Sequence, residues 1–194
     1  MALGGTIKGR ITTLRVPTED DLGAYGRWMA DMRLRAFMRP WHEPAMPATW
    51  KERLAEQTKD KGSALWSIEA DARVVGLVRA GFGWEPHRDS AHIHQFVIAP
   101  DEWRKGYGSD AALALHRYLF DYLDLRRVST NFTTENAGAR HIAERLGYSE
   151  FAHKHEVHFR GGAYVDELEL LMDRPAWDER WGKTEREYQP MGAR

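Results

Sequence analysis

The chain of 194 residues contains no cysteine. Disulfide staples, thiolate metal sites, iron–sulfur clusters and cysteine nucleophiles are excluded together, and the absence fits a reducing compartment. An excess of one charge is missing as well: 28 Lys and Arg stand against 29 Asp and Glu, a formal net charge of −1. No bulk cationic field exists to hold nucleic acid or an anionic membrane, so neither is expected as a partner; a local basic site stays open. No apolar run approaches the ~18 residues of a membrane span. The opening MALGGTIKGR has no apolar stretch of the roughly 7–15 residues that a signal peptide needs. A cytoplasmic protein is the expectation. What is present is ordinary globular composition, 42% hydrophobic and 29% charged, with a high count of eight Trp. The length suits one domain able to bury its own core.

Periodicity sets out the elements. A strand is expected over 6–16. Thr18, with Asp21 three residues on, then caps a helix whose face is Leu22, Tyr25, Met29 and Met32. A second helix runs from about Pro47 to Thr58. Strands at 65–70 and 73–81 flank Asp71-Ala72 as a hairpin, and 91–99 is a further strand. Ala112, Leu115, Leu119 and Tyr122 share a helical face. A strand at 127–132 precedes a helix from Asn136, its cap, to Leu146, with Gly147 at the far end. Strands 148–160 and 163–172 close over Gly161-Gly162. The expected organisation is a single α/β domain over 1–172 and a charged, aperiodic extension over 173–194. Trp177 and Trp181 in that extension serve to tie it down or to meet a second copy of the chain in a homodimer.

The strongest local signal runs from Val97 to Ala111, VIAPDEWRKGYGSDA. A strand leads through a turn into a helix. Gly106 and Gly108 permit close backbone approach to a ligand, and the helix N-terminus beside Arg104 and Lys105 suits a phosphate or pyrophosphate. Residues 106–111 formally fit G-x-G-x-x-A, but six residues separate the strand end from Gly106, and no Walker loop occurs. A dinucleotide oxidoreductase is therefore a weak reading.

Residues 100–111 resemble the acyl-CoA-binding motif Q/R-x-x-G-x-G/A of the GNAT acyltransferases, with Trp103 at the Q/R position and Arg104 next to it. Asn136-x-x-Ala139 followed by Leu146-Gly147-Tyr148 resembles a second family motif. The stretch from Phe159 to Asp166, with Gly161-Gly162 and Tyr164-x-Asp166, is similar to the closing hairpin of the ribosomal-protein-alanine N-acetyltransferase branch. The resemblance implies a GNAT fold, a mixed, mostly antiparallel sheet of about seven strands flanked by about four helices. It also implies acetyl-CoA as cofactor and direct acetyl transfer in a ternary complex to a primary amine, either a peptide N-terminus or a small molecule. A catalytically degenerate acyl-CoA-binding module of the same fold is the alternative.

By this resemblance the cofactor is held by Phe96, Val97, Ile98, Arg104, Lys105, Gly106, Tyr107, Gly108, Ser109 and Asn136. The ammonium acceptor must lose a proton before attack. Relatives often carry a Glu near Gln95, which cannot be a base. His94 is the preferred base, with Glu85 and Asp166 in reserve. His92, His94, Phe96 and Ile98 are expected on one strand face by the period of two. The positions where relatives place an acid for the leaving thiolate hold Ala139 and Ala143 here, which leaves Tyr148 or water. Trp28, Trp41 and Asp166 are the acceptor-side candidates. The His92/His94 and His153/His155 pairs have a spacing that can hold zinc on a strand, but no carboxylate pattern completes them in sequence, and no metal site is expected.

Overall fold

A computed structural model describes residues 5–38, 47–59, 62–83 and 89–182. Eight strands form one sheet in the order β1-β2-β3-β4-β5-β6-β8-β7. They are β1 (Ile7–Lys8), β2 (Thr13–Arg15), β3 (Ser63–Ala70), β4 (Arg73–Phe82), β5 (Ser90–Ile98), β6 (Arg127–Thr133), β7 (Ser149–Arg160) and β8 (Ala163–Asp173). Six α-helices accompany them: α1 (Leu22–Ala30), α2 (Met32–Arg35), α3 (Pro47–Lys59), α4 (Tyr107–Arg117), α5 (Ala137–Leu146) and α6 (Arg174–Trp181). All pairings are antiparallel except β5 with β6. The mixed, mostly antiparallel α/β architecture follows the sequence expectation. It has one more strand, because 6–16 folds back at Gly9 into two short strands, and more helices.

Local chemistry explains the boundaries. The Thr18 amide donates to Asp21 Oδ2 at 2.9 Å, and Arg15 grips the same carboxylate, so the Thr18 cap opens a short 3-10 turn at Glu19–Asp21, and α1 follows it from Leu22. Asp31 ends that helix in extended backbone and caps α2. Met32 is consequently 74% exposed rather than on the buried face expected for it. Gly161 and Gly162 take positive φ, as the two-residue turn between β7 and β8 requires. Asn136 caps α5 by accepting from the Ala139 amide, and Gly147 ends it at φ 99°. α4 continues into a wider turn at Tyr118–Tyr122, where the Leu123 amide reaches back to the Tyr118 carbonyl.

The sheet carries apolar layers on both faces. A large core joins Trp66, Ile68, Val78, Ile93, Leu115, Leu119, Phe120, Val128 and Met172 under α4. A smaller one sets Tyr25, Trp28 and Met29 of α1 against Leu77 and Val97. In the segment after Asp173, expected to be aperiodic, residues 174–181 form helix α6. Its Trp177 is fully buried, stacks on Phe120 at 5.0 Å and donates to Asp121 Oδ1 at 2.8 Å.

Candidate active site

The cleft begins where the parallel pair separates. β5 pairs with β6 only from Ser90 to Ile93, while its pairing with β4 continues to Ile98. Beyond Ile93 the β5 edge facing β6 therefore makes no ladder, which leaves backbone groups able to accept an added strand. At the same place β5 bulges. Arg79 opposes Gln95 and Ala80 opposes Ile93, so His94 is the extra residue. Its ring lies over Gly81, where a Cβ would come within 2.4 Å of His94 Nε2, and 4.7 Å from the His92 ring. The bulge shifts the alternation by one. Phe96 and Ile98 turn to the large core and Val97 to the small one. The single face expected for His92, His94, Phe96 and Ile98 is thus broken: the two histidines share a side, and Phe96 and Ile98 take the other.

The strand end is tied to the loop that follows. Trp103 Nε1 donates to the Ile98 carbonyl at 2.7 Å. Arg104 at φ 64° and Gly106 at φ 86° turn the chain into α4, whose first-turn amides have no partner within the helix. Asp110, in that first turn, accepts from the Arg10, Ile11 and Thr12 amides at 2.9–3.0 Å and clamps the β1–β2 turn beneath the loop. Gly9 leaves the room, since a Cβ there would stand 2.3 Å from Asp110 Oδ2. A Cβ on Gly108 would press on Ile142 at 3.2 Å and Ile98 at 3.4 Å. The residues present thus suit a pyrophosphate: a glycine cradle, donor amides at a positive helix end, and Arg104 beside them.

Edge and loop open on one cleft of about 1350 Å³. It is lined by His94, Phe96, Val97, Ile98, Arg104, Gly106, Tyr107, Gly108, Ser109, Asn136 and Tyr148. Four expected site residues are not among its described walls. Lys105 lies outside and pairs with Glu102 at 2.7 Å. Trp28 is 8% exposed within the small core, because the α1 face that carries it packs on the sheet. Asp166 points to His153 and His155 on the β7–β8 hairpin. Trp41 falls outside the described residues, as do Trp84, Glu85 and the Trp50 side chain.

Two further clusters line the cleft without having been expected. His116 is buried, and burial pushes its pKa down to about 4. Its Nδ1–H donates to the Ala112 carbonyl at 2.7 Å, which leaves Nε2 as an acceptor for the Tyr148 hydroxyl at 2.6 Å. Burial raises the Tyr148 pKa well above the usual phenol range. The second cluster is a polar chain across four strands. His92 bridges Ser129 Oγ at 2.9 Å and Asn131 Oδ1 at 3.1 Å. Glu167, with a side chain only 5% exposed, accepts from His158 Nε2 at 2.8 Å. Burial pushes the Glu167 carboxyl up, yet hydrogen bonds from His158, Asn131 and Lys154 together hold it below its ordinary value. One signal was in the sequence: His116 interrupts the apolar stripe Ala112, Leu115, Leu119. Glu167 and His158 meet only as cross-strand diagonals once the hairpin register is set.

Comparison with known proteins bears on the family and the fold. Residues 12–149 match the family described as acetyltransferase (GNAT) domain. Spermidine N(1)-acetyltransferase of Vibrio cholerae is 30% identical over 98 residues; the match spans 50% of this chain and 56% of that protein, about half the length of this curated relative. Among solved structures, Mycobacterium smegmatis RimJ in complex with CoA-disulfide superposes with a TM-score of 0.79, at 18% identity, over 93% of this chain and 95% of that one. Spermidine N-acetyltransferase from Vibrio cholerae in complex with CoA and spermine superposes with a TM-score of 0.75, at 22% identity, over 86% of this chain and 97% of that one. At these identities the two structures share the fold.

Proposed function

The chain belongs to the GNAT acetyltransferase family, and on that premise we propose that it moves the acetyl group of acetyl-CoA to a primary amine by direct attack. The observation that carries this reading is the continuity of the β5 edge beyond its ladder with β6 and the glycine cradle at the start of α4. Gln95 to Ile98 offer backbone groups to the pantetheine arm, and the amides of 106–109 offer donors to the pyrophosphate, with Arg104 adding charge. Bound acetyl-CoA supplies the activated acetyl thioester. The chain's own residues then have three tasks.

The first is to free the attacking amine of its proton. His94 is our candidate: it stands out of the ladder at the bulge, lines the cleft, and an imidazole can take a proton in the physiological range. The second is to steady the acetyl carbonyl, for which an amide on the β5 edge beyond the β6 ladder is suited. The third is to let the thiolate leave. Tyr148 already directs its proton to His116, so its part is to keep the wall of the cleft in place. Arg35, Arg79, Arg104, Arg145 and Arg160 line the cleft against Glu56, Glu102, Glu135 and Glu167. The lining thus has no excess of carboxylates to pair a polycation, and a peptide N-terminus or a small monoamine is the acceptor class it suits.

The test is thiol release. Because the chain has no cysteine, a thiol-trapping reagent has no protein background. We expect saturable acetyl-CoA binding in calorimetry and amine-dependent thiol release with peptides or monoamines. Binding of acetyl-CoA with no release across peptide, monoamine and polyamine acceptors would instead establish an acyl-CoA-binding module. Release with spermidine alone would reverse the acceptor assignment.

A further inference from the structure

The β7–β8 hairpin holds a cluster outside the cleft. His153 and His155 lie two apart on β7, on one face, with ring centroids 4.4 Å apart. His153 Nε2 is 2.7 Å and His155 Nδ1 3.1 Å from a single atom, Asp166 Oδ2. The three ligand-capable atoms all lie within 4.8 Å of one another. The backbone is arranged around that carboxylate. Between Lys154 and His158 the β7 ladder slips by two residues against β8, with Glu156 at φ 54°. The Glu156 amide, released from the ladder, donates to Asp166 Oδ1 at 2.9 Å. One carboxylate oxygen is thus fixed by the backbone, and the other faces two imidazole nitrogens.

We propose that His153, His155 and Asp166 form an open-faced binding site for a borderline divalent cation such as Zn²⁺. A tetrahedral ion with bonds of about 2.0–2.1 Å needs its donors roughly 3.3 Å apart. The separations of 2.7 and 3.1 Å to Oδ2 need only a small opening to reach that. The donor set, two imidazoles and one carboxylate, favours Zn²⁺, Ni²⁺ or Co²⁺ over Mg²⁺ or Ca²⁺, which prefer all-oxygen ligands. Outer contacts are already in place: Glu150 Oε1 stands 3.7 Å from His153 Nδ1, and Glu156 N–H holds Oδ1. His155, with its side chain 76% exposed, leaves the fourth position to water. Binding replaces the two N–H···O hydrogen bonds with metal bonds, so each imidazole carries its proton on the other nitrogen. An ion here clamps β7 to β8 where the ladder is interrupted. The same hairpin carries His158 and Glu167 to the cleft.

The measurement is competition for Zn²⁺ between the tag-free protein and a chromophoric chelator. One ion per chain is expected, with a Kd on the order of 10 µM or tighter. The double variant His153→Ala/His155→Ala should bind at least tenfold more weakly, and so should Asp166→Asn, the more conservative change. His141→Ala, which alters a histidine elsewhere, should bind like the parent. Far-UV circular dichroism and the metal-free Tm check that each variant is folded. Unchanged affinity in either hairpin variant, or a parent protein that takes no Zn²⁺ from the chelator, would overturn the assignment.

Discussion

His116 and Tyr148 show what single residues decide. The lone pair on His116 Nε2 is spoken for by the Tyr148 hydroxyl, and the imidazole is neutral because burial lowers its pKa to about 4. A histidine that titrates near 6.5 when unfolded and lower when folded binds more protons in the unfolded state between those values. Its contribution to stability is therefore fully present above about pH 6.5 and is lost as pH falls toward 4, by up to about 3 kcal/mol. Urea unfolding at a series of pH values should show this slope, and His116→Phe should flatten it. Tyr148→Phe removes the hydroxyl and leaves Nε2 unpaired. We expect it to cost about 1–3 kcal/mol of stability and to change kcat by less than about tenfold; a far larger fall in kcat would make Tyr148 an acid after all. His94→Ala should lower kcat/KM and remove the acid limb of its pH profile, since the base proposed for the amine would be gone. Among the described tryptophans, only Trp103 lines the cleft. Trp103→Phe should weaken the quenching of intrinsic fluorescence by acetyl-CoA, whereas Trp177→Phe, buried in the core, should leave it unchanged.

Elements decide the next level. The α4 loop depends on a turn almost a hundred residues away in sequence: Asp110 receives three amides of residues 10–12. Gly9→Ala would drive a methyl into that carboxylate. We expect weaker acetyl-CoA binding and a lower Tm together, because cradle and turn move as one. Calorimetry and a melt on the same sample check it. α6 behaves as a wall of the core. Its Trp177 is enclosed between Phe120, His116 and Trp181, and Trp177→Ala should cost about 3–5 kcal/mol in chemical denaturation. Capping boxes, turn glycines and hairpins could be read before any coordinates, because each is a local bargain among neighbours in sequence. α6 escaped notice because its apolar contribution is chiefly two indoles four residues apart, Trp177 and Trp181, too little for a periodic stripe.

Over the whole molecule, what could be read in the chain was its class and the glycine loop we assign to the cofactor. Absent cysteine and balanced charge exclude whole classes of chemistry and partner. The strand–glycine–helix order at 97–111 and the Asn136 and hairpin motifs carry the resemblance to the GNAT acyltransferases without any tertiary contact, because each depends on spacing within about a dozen residues. Tertiary structure decided the chemistry of the walls. The bulge at His94 separated side chains that strict alternation had put together. The fold of α1 took Trp28 into a core. The hairpin register brought Asp166 to two histidines and Glu167 to a third. At His94 the physical reason is the strand's side-chain period of two, so that one inserted residue reverses which face a side chain meets; for Trp28 it is the face that helix α1 packs on the sheet, and for Asp166 and Glu167 the register of the hairpin. Partners are then chosen by pairing across the sheet, at sequence separations that no local pattern encodes.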